Sequence, residues 1–328
     1  KYELIGKKAL KGVLTATGFF EFRGSDVRVI VKDSGGASER LGGLIEGMVK
    51  EDQVSVVIGP IPSDHVKGLD SIIQLLEVPT VIFPLSNEDI SGTNPFLIEF
   101  SYSLENQAHL LARYAVSDIK IYSFGVLYPK THIGEVFKDA FIKSVREFGG
   151  NVIYISSYDP KLLDISKEVR WIKSRNPNAI FIPDSATNSA ELIKKMGQEK
   201  GLKDLIFLGP STWNSDAFLN AVGNEAYKII LTDFFFTGSG RWVEFQEKYR
   251  DMFNGDPGFL EFQVYEAANL ILHVLQFPIS NRRQIIERLL ALRDSPVFEI
   301  RQNRGGGLEI SPKPFVLTVR NGSIVKIK

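Results

Sequence analysis

Short β-rich apolar runs alternate with helical segments through most of this chain, and that alternation limits its fold more than any other feature. It is clearest between Val54 and Asn87, where the runs Val54–Ile58 and Thr80–Phe83 flank an amphipathic stretch and are bounded by Gly59-Pro60 and Pro84. Strand-like runs separated by helix-like segments predict βαβ units on a parallel sheet. Each of the two runs leads into a polar loop, carrying Ser63, Asp64 and His65 after the first and Ser86, Asn87 and Glu88 after the second. Ligands of open α/β sheets sit beyond the carboxyl ends of the strands. Function is therefore expected in these loops, and the chemistry expected there is binding.

The same rhythm extends in both directions. Upstream, Lys1–Thr17 has Ile5, Ala9 and Val13 at helical spacing, Val27–Val31 predicts a strand and Ser38–Val49 a helix. Downstream, Phe96–Phe100 predicts a strand and Leu104–Val116 a helix capped by Ser103. A second series of strands follows at Tyr122–Leu127, Val152–Ile155, Ala179–Ile182, Leu205–Leu208 and Ile229–Thr232. The helices Glu135–Phe148, Asp164–Ser174 and Ser189–Lys200 lie between them, with Gly149-Gly150 as a C-cap. From Arg241 the pattern changes to three helical segments without strands, Trp242–Phe253, Glu261–Leu275 and Arg282–Leu292. Helices alone cannot build an α/β layer, so this part is expected to return and cover the first lobe. Val297–Ile300, a Gly305-Gly306-Gly307 turn and a hairpin around Asn321-Gly322 close the chain.

Composition removes several function classes. A chain of 328 residues suits two lobes. Lys+Arg and Asp+Glu both number 39, so the overall charge lacks the footprint of a nucleic-acid or anionic-membrane binder. No apolar run approaches the roughly 20 residues of a membrane-spanning helix. Without cysteine there is neither a disulfide nor thiolate chemistry. The chain has no HExxH, Walker A, GxSxG or GxGxxG motif, and His65, His109, His132 and His273 have no metal-ligand spacing. No cofactor or metal is expected, and the chain is not expected to be an enzyme.

The order of elements and several short motifs resemble the type I periplasmic binding proteins of the leucine/isoleucine/valine-binding kind, along nearly the whole length. The matching pieces are Val56-Val57-Ile58-Gly59-Pro60 with Ser63, Val78-Pro79 leading to Pro84, and Gly134 through Phe137 and Phe141. They continue with Gly149-Gly150-Asn151-Val152, Asp256-Pro257 before Tyr265-Glu266-Ala267, and Phe315 to Val325. Within that superfamily, Val126-Leu127-Tyr128-Pro129, Ile182-Pro183-Asp184-Ser185 and Leu208 through Asn214 resemble the penicillin-binding-protein activator branch of bacterial lipoproteins. The resemblance implies an α/β fold of two doubly wound parallel-sheet lobes joined by three crossovers, near Lys120, Gly238 and Pro296. Lobe 1 would take residues 1–119 and 239–295, and lobe 2 residues 120–238 and 296–328. It implies an extracytoplasmic location, with a lipid anchor, if any, on a segment outside this sequence. It also implies closure on a small ligand, with an ABC permease or a peptidoglycan synthase as partner. The family's first lobe opens with a strand, so a short apolar strand is expected upstream of Lys1, or another segment in its slot. Val27–Val31 and Val54–Ile58 would then stand about 10 Å apart without a direct ladder.

Residue by residue, Ser63 matches the serine that holds the ligand carboxylate in the amino-acid-binding relatives, and Leu85, Ser86 and Asn87 match the segment beside it. Ser63 is equally suited to capping the helix that follows, and the two roles are compatible. The second lobe departs from the amino-acid pattern. Ser211 stands where a carboxylate pairs the ligand ammonium, and Ile133 and Ile5 stand where the relatives carry tyrosines. A buried ammonium needs a charge partner or good hydrogen bonds, so the expected ligand is not a standard branched-chain amino acid. Asp184 closes a strand and could substitute for the absent carboxylate, although Asp at that place is also an ordinary turn residue. His132 is a candidate hydrogen-bonding group, against the alternative of a polar surface residue. Trp213 is open to two roles, stacking on a ligand or packing beneath its loop. Two function classes thus remain: a solute-binding receptor module, and a non-enzymatic interaction module that regulates peptidoglycan synthesis. Asp184, Ser211 and Ser63 are expected to face one crevice, each at the carboxyl end of its strand.

Overall fold

The computed structural model describes residues 2–18, 27–59, 63–83, 94–223, 227–303 and 305–327. The chain forms two compact units, one of residues 1–101 with 237–312 and the other of residues 102–236 with 313–328. It passes between them at Ser101/Tyr102, Phe236/Thr237 and Pro312/Lys313; the second adjoins the expected Gly238, while the first and third lie away from the expected Lys120 and Pro296.

In the first unit the elements before the first passage are α1 (Tyr2–Thr17), α2 (Ser38–Lys50), β1 (Val57–Gly59), α3 (Ser63–Leu75), β2 (Thr80–Ile82) and β3 (Leu97–Phe100). The strand-free helices return here as α9 (Gly240–Phe253), α10 (Phe259–Leu275) and α11 (Arg283–Ala291), followed by β9 (Phe298–Gln302) and β10 (Leu308–Pro312). The sheet runs β1-β2-β3-β10-β9, parallel except for β9 against β10. Its core joins Val81 and Ile98 to Val264, Ile271 and Leu289, so the later helices do cover this sheet.

Two expectations are corrected. Residues 27–36 form no strand, Val31 is exposed, and no ladder joins them to β1 among the described residues. An apolar run becomes a strand only where a neighbouring backbone takes its N–H and C=O groups. Conversely β10, with Pro312 at its end, was not legible as a strand, yet it pairs with β3 across a large sequence separation. That pairing draws β9 and β10 into the first unit instead of the second.

The second unit holds α4 (Leu104–Arg113), a π-helical turn at Tyr114–Asp118, β4 (Ser123–Pro129), α5 (His132–Glu147), β5 (Asn151–Tyr158), α6 (Ser166–Arg175) and β6 (Ala179–Phe181). It continues with α7 (Ala186–Gly197), β7 (Ile206–Gly209), a 3₁₀ turn at Ser211–Trp213, α8 (Asp216–Val222), β8 (Lys228–Asp233), β11 (Phe315–Arg320) and β12 (Ser323–Lys326). The sheet order is β12-β11-β8-β7-β6-β4-β5, with β11 and β12 antiparallel and the rest parallel. Both faces are covered, and the side-chain period of two sorts residues between them. Ile180 and Ile182 join Phe207, Ile229 and Leu231 on one face, while Ala179, Phe181, Leu208 and Ile230 join α4 and α5 on the other. Phe141 of α5 stacks on Phe181 with centroids 4.1 Å apart. Ser103 caps α4 by accepting the Asn106 N–H at 3.2 Å. The hairpin turns at Asn321 and Gly322, both at positive φ, which is the type I′ geometry expected of that pair.

In the first unit α1 lies so close to α10 that Gly12 has no room for a side chain. A Cβ there would stand 2.5 Å from the Glu261 carbonyl oxygen and 2.9 Å from Cβ of Val264. Gly6, in the same helix, has nothing within 4 Å. Gly12→Ala is therefore expected to destabilise the protein by about 1–3 kcal/mol through overpacking. Gly6→Ala should leave stability unchanged or raise it by up to about 1 kcal/mol through helix propensity. Urea denaturation of the two variants checks the pair; equal effects would show that the α1–α10 approach is not tight.

Candidate functional site

The parallel strands of the second unit end in a row of loops that hold most of the residues singled out from the sequence. β4 leads to Thr131, which caps α5 by accepting the Gly134 N–H at 3.0 Å. Gly134 is required there, because a Cβ would lie 2.4 Å from the Pro129 carbonyl oxygen. This cap puts His132 and Ile133 on the first turn of α5, both exposed, Ile133 by 47%.

β6 leads to Asp184, half-buried beside Ser185, the cap of α7. The Asp184 carboxylate is engaged on both oxygens. Oδ1 accepts the Ser185 N–H at 2.6 Å, while Oδ2 accepts the Tyr158 hydroxyl at 2.6 Å and the Asn188 amide at 3.0 Å. Burial, together with its bond to Asp184, pushes the Tyr158 phenol far above its ordinary range, so it stays a donor. The Asp184 carbonyl accepts the Thr212 hydroxyl at 2.6 Å, which joins this loop to the one after β7.

β7 ends at Gly209, and the 3₁₀ turn Ser211–Trp213 folds the indole back over it. A Cβ on Gly209 would meet Trp213 Cε2 at 2.2 Å. Trp213 is fully buried and stacks on Phe218 at 4.9 Å with the rings 10° apart. Of its two possible roles the fold selects packing beneath the loop, and Trp213 is a core residue. Ser211 is half-buried; its N–H is donated to Oε1 of buried Gln107 in α4 at 2.9 Å, and its hydroxyl has no partner among the described residues.

β8 ends at Asp233, which sequence reasoning passed over although it too is a carboxylate at a strand end. Its Oδ2 accepts the Asn214 amide at 2.7 Å and its Oδ1 the Phe235 N–H at 3.2 Å; the same amide reaches the Phe235 carbonyl at 2.8 Å. Burial pushes the Asp233 carboxyl up to about 7, against the opposing effect of these donors. Tyr158, Asn188 and Gln107 were also missed. Gln107 carries no local signal at all, since its partner lies on the far side of the sequence.

In the first unit α3 begins at Ser63, just after the carboxyl end of β1. The side chain of Ser63, and Leu85, Ser86 and Asn87 entirely, lie outside the described residues. Each of Ser63, Asp184 and Ser211 thus follows a strand at its carboxyl end. A depression of about 770 Å³ between Gln53, Ser55, Glu77 and Arg282 opens at the amino ends of β1 and β2, the wrong edge for this chemistry.

The fold and these loops define a periplasmic binding protein. The family model described as a periplasmic binding protein matches residues 1–289, and the chain belongs to that family. Among solved structures it is similar to one from Rhodospirillum rubrum, described provisionally as a branched-chain amino acid ABC transporter. That match has 19% identity and a TM-score of 0.86, covering 99% of this chain and 95% of the other. A branched-chain amino acid transporter substrate-binding protein from Streptococcus pneumoniae, solved with isoleucine, matches at 17% identity and a TM-score of 0.59, over 99% and 96%. An ABC-transporter solute-binding protein from Rhodopseudomonas palustris, solved with 3,4-dihydroxybenzoic acid, matches at 17% and 0.58, over 97% and 92%. No curated protein matches the chain significantly.

Asp233 makes stability depend on pH. Its folded-state value lies above the unfolded value of about 3.9, so between about pH 4 and 7 the folded state holds a proton that the unfolded state has released. The stability it contributes is full below about pH 4 and is lost as pH rises through 7. Relative to Asp233→Asn, which does not titrate there, the wild type should lose up to about 1.4 kcal/mol per pH unit across that window. Urea unfolding at several pH values measures it; parallel curves for the two proteins would refute it.

Proposed function

We propose that this protein is a non-enzymatic, extracytoplasmic solute-binding receptor of the ABC-transporter kind, and that its ligand is a small organic solute without an ammonium group. One observation carries the second part: the two acidic side chains at the carboxyl ends of β6 and β8, Asp184 and Asp233, are already committed. Asp184 is filled by Tyr158, Asn188 and Ser185, and Asp233 is buried against Asn214. Ser211, at the position where an ammonium partner is expected, offers a hydroxyl and no charge. An ammonium placed here would lose its water without gaining a counter-charge. The start of α3 suits an anionic group, because helix N-termini carry free N–H donors. A carboxylic acid lacking an amine fits both conditions, and the neighbour solved with 3,4-dihydroxybenzoic acid is a precedent on this fold.

The same committed side chains favour one other reading, a module that engages another protein, such as a peptidoglycan synthase, and holds no solute. The two differ in a calorimetric and thermal-shift screen of leucine, isoleucine, benzoate, 3,4-dihydroxybenzoate and aliphatic acids. A ligand that binds only the folded state raises the apparent melting temperature. Under the receptor reading an aromatic or aliphatic acid binds, and leucine binds about one to two powers of ten more weakly, the cost of a missing charge-assisted hydrogen bond of about 1.5–3 kcal/mol. Micromolar or tighter leucine binding would sink the ligand assignment. Silence across the whole screen would favour the interaction module.

A further inference from the structure

We infer that the outward face of α6 is a docking surface for an anionic phospholipid bilayer. At helical spacing Val169 and Ile172 point into the core, which turns Lys167, Arg170, Trp171 and Ser174 to the opposite side. All four are exposed, Trp171 by 48%. Leu162, in the loop just before the helix, is 74% exposed.

The charge on this face is unbalanced although the chain as a whole is neutral. The sequence of α6, Ser-Lys-Glu-Val-Arg-Trp-Ile-Lys-Ser-Arg, has four basic residues and one acidic. Its acid, Glu168, accepts the Ser156 hydroxyl of β5 at 3.3 Å. Asp164, just before the helix, accepts the N–H and hydroxyl of Ser166 and is attracted by Arg170 and Lys195, and Glu199 pairs with Lys173 at 2.9 Å. Among the described residues, no carboxylate comes within ion-pair distance of Lys167, Arg170 or Arg175. The equality of basic and acidic residues in the sequence therefore conceals a local excess of cations on this helix.

An exposed indole among cations, with an exposed leucine in the loop before the helix, matches the requirements of a lipid headgroup region. The ring and the aliphatic side chain enter the polar–apolar boundary while the cations meet lipid phosphates. Binding through so few cations is weak and sensitive to salt.

The protein supplies its own reporter. Of its three tryptophans, Trp213 is fully buried and Trp242 is 7% exposed, which leaves Trp171 as the accessible fluorophore. The chain is mixed at low salt with phosphatidylcholine vesicles, either pure or containing about one third phosphatidylglycerol, with brominated acyl chains as quencher. The expected result is a blue-shifted, quenched emission with the anionic vesicles only, abolished by salt. The double variant Lys167→Gln/Arg170→Gln should bind roughly thirtyfold more weakly, at about fivefold per cation. Its thermal unfolding should be unchanged, because both side chains are solvated. The proposal is overturned by equal binding of the variant, by vesicle binding without a change at Trp171, by no vesicle binding, or by quenching with soluble polyglutamate alone.

Discussion

The Asp184 carboxylate is the tie on which the carboxyl edge of the second unit depends. It draws together the end of β5 through Tyr158, the start of α7 through Ser185 and Asn188, and, through its own carbonyl, the loop after β7 by way of Thr212. Bonds to an ionised acceptor contribute more than neutral ones, about 1.5–3 kcal/mol against about 1. Here they also fix the end of β5 against the start of α7. The packing beneath follows from the same arrangement. With Thr212 held on Asp184, the 3₁₀ turn sends Trp213 inward over Gly209 and onto Phe218, so the loop is fixed from both sides.

That economy has a functional consequence. A parallel sheet normally leaves its carboxyl-edge loops free to be specialised for a ligand. In this protein much of that polarity serves the protein itself, and of the residues singled out from the sequence there, Ser211, His132 and Ile133 keep side chains without a partner among the described residues. These groups offer hydrogen bonds and apolar contact but no fixed negative charge. The selectivity we propose is thus a matter of what the edge lacks, as an absent counter-charge rejects a cationic group more firmly than a poor fit rejects a methyl group.

Buried acids in the two units carry a related constraint. Glu266 of α10 is pushed up to about 7 by burial even though Arg241 beside it opposes the shift, and Asp233 reaches a similar value with neutral donors alone. In both places desolvation outweighs the groups that favour the charged form, a cation for Glu266 and N–H donors for Asp233. Both groups bind a proton more tightly folded than unfolded, so both make the protein more stable on the acid side of neutrality.

Legibility in the sequence followed the range of the interaction that decided each element. The period-two burial of Ile180 and Phe181, the cap at Ser103 and the Asn321-Gly322 turn are local, and each is where the pattern placed it. The strand expected at Val27–Val31, the unread β10 and the boundary expected near Lys120 all turn on distant partners. The candidate site divides in the same way. Strand ends pointed to Asp184 and Ser211 because position along a strand is a local property. Of the groups that occupy their polar atoms, Asn188 lies one helical turn beyond Asp184, whereas Tyr158 and Gln107 come from distant parts of the chain and leave no trace near the residues they serve. A motif can thus name a carboxylate at a sheet edge, but whether that carboxylate is available to a ligand is settled only by the folded neighbours that reach it first.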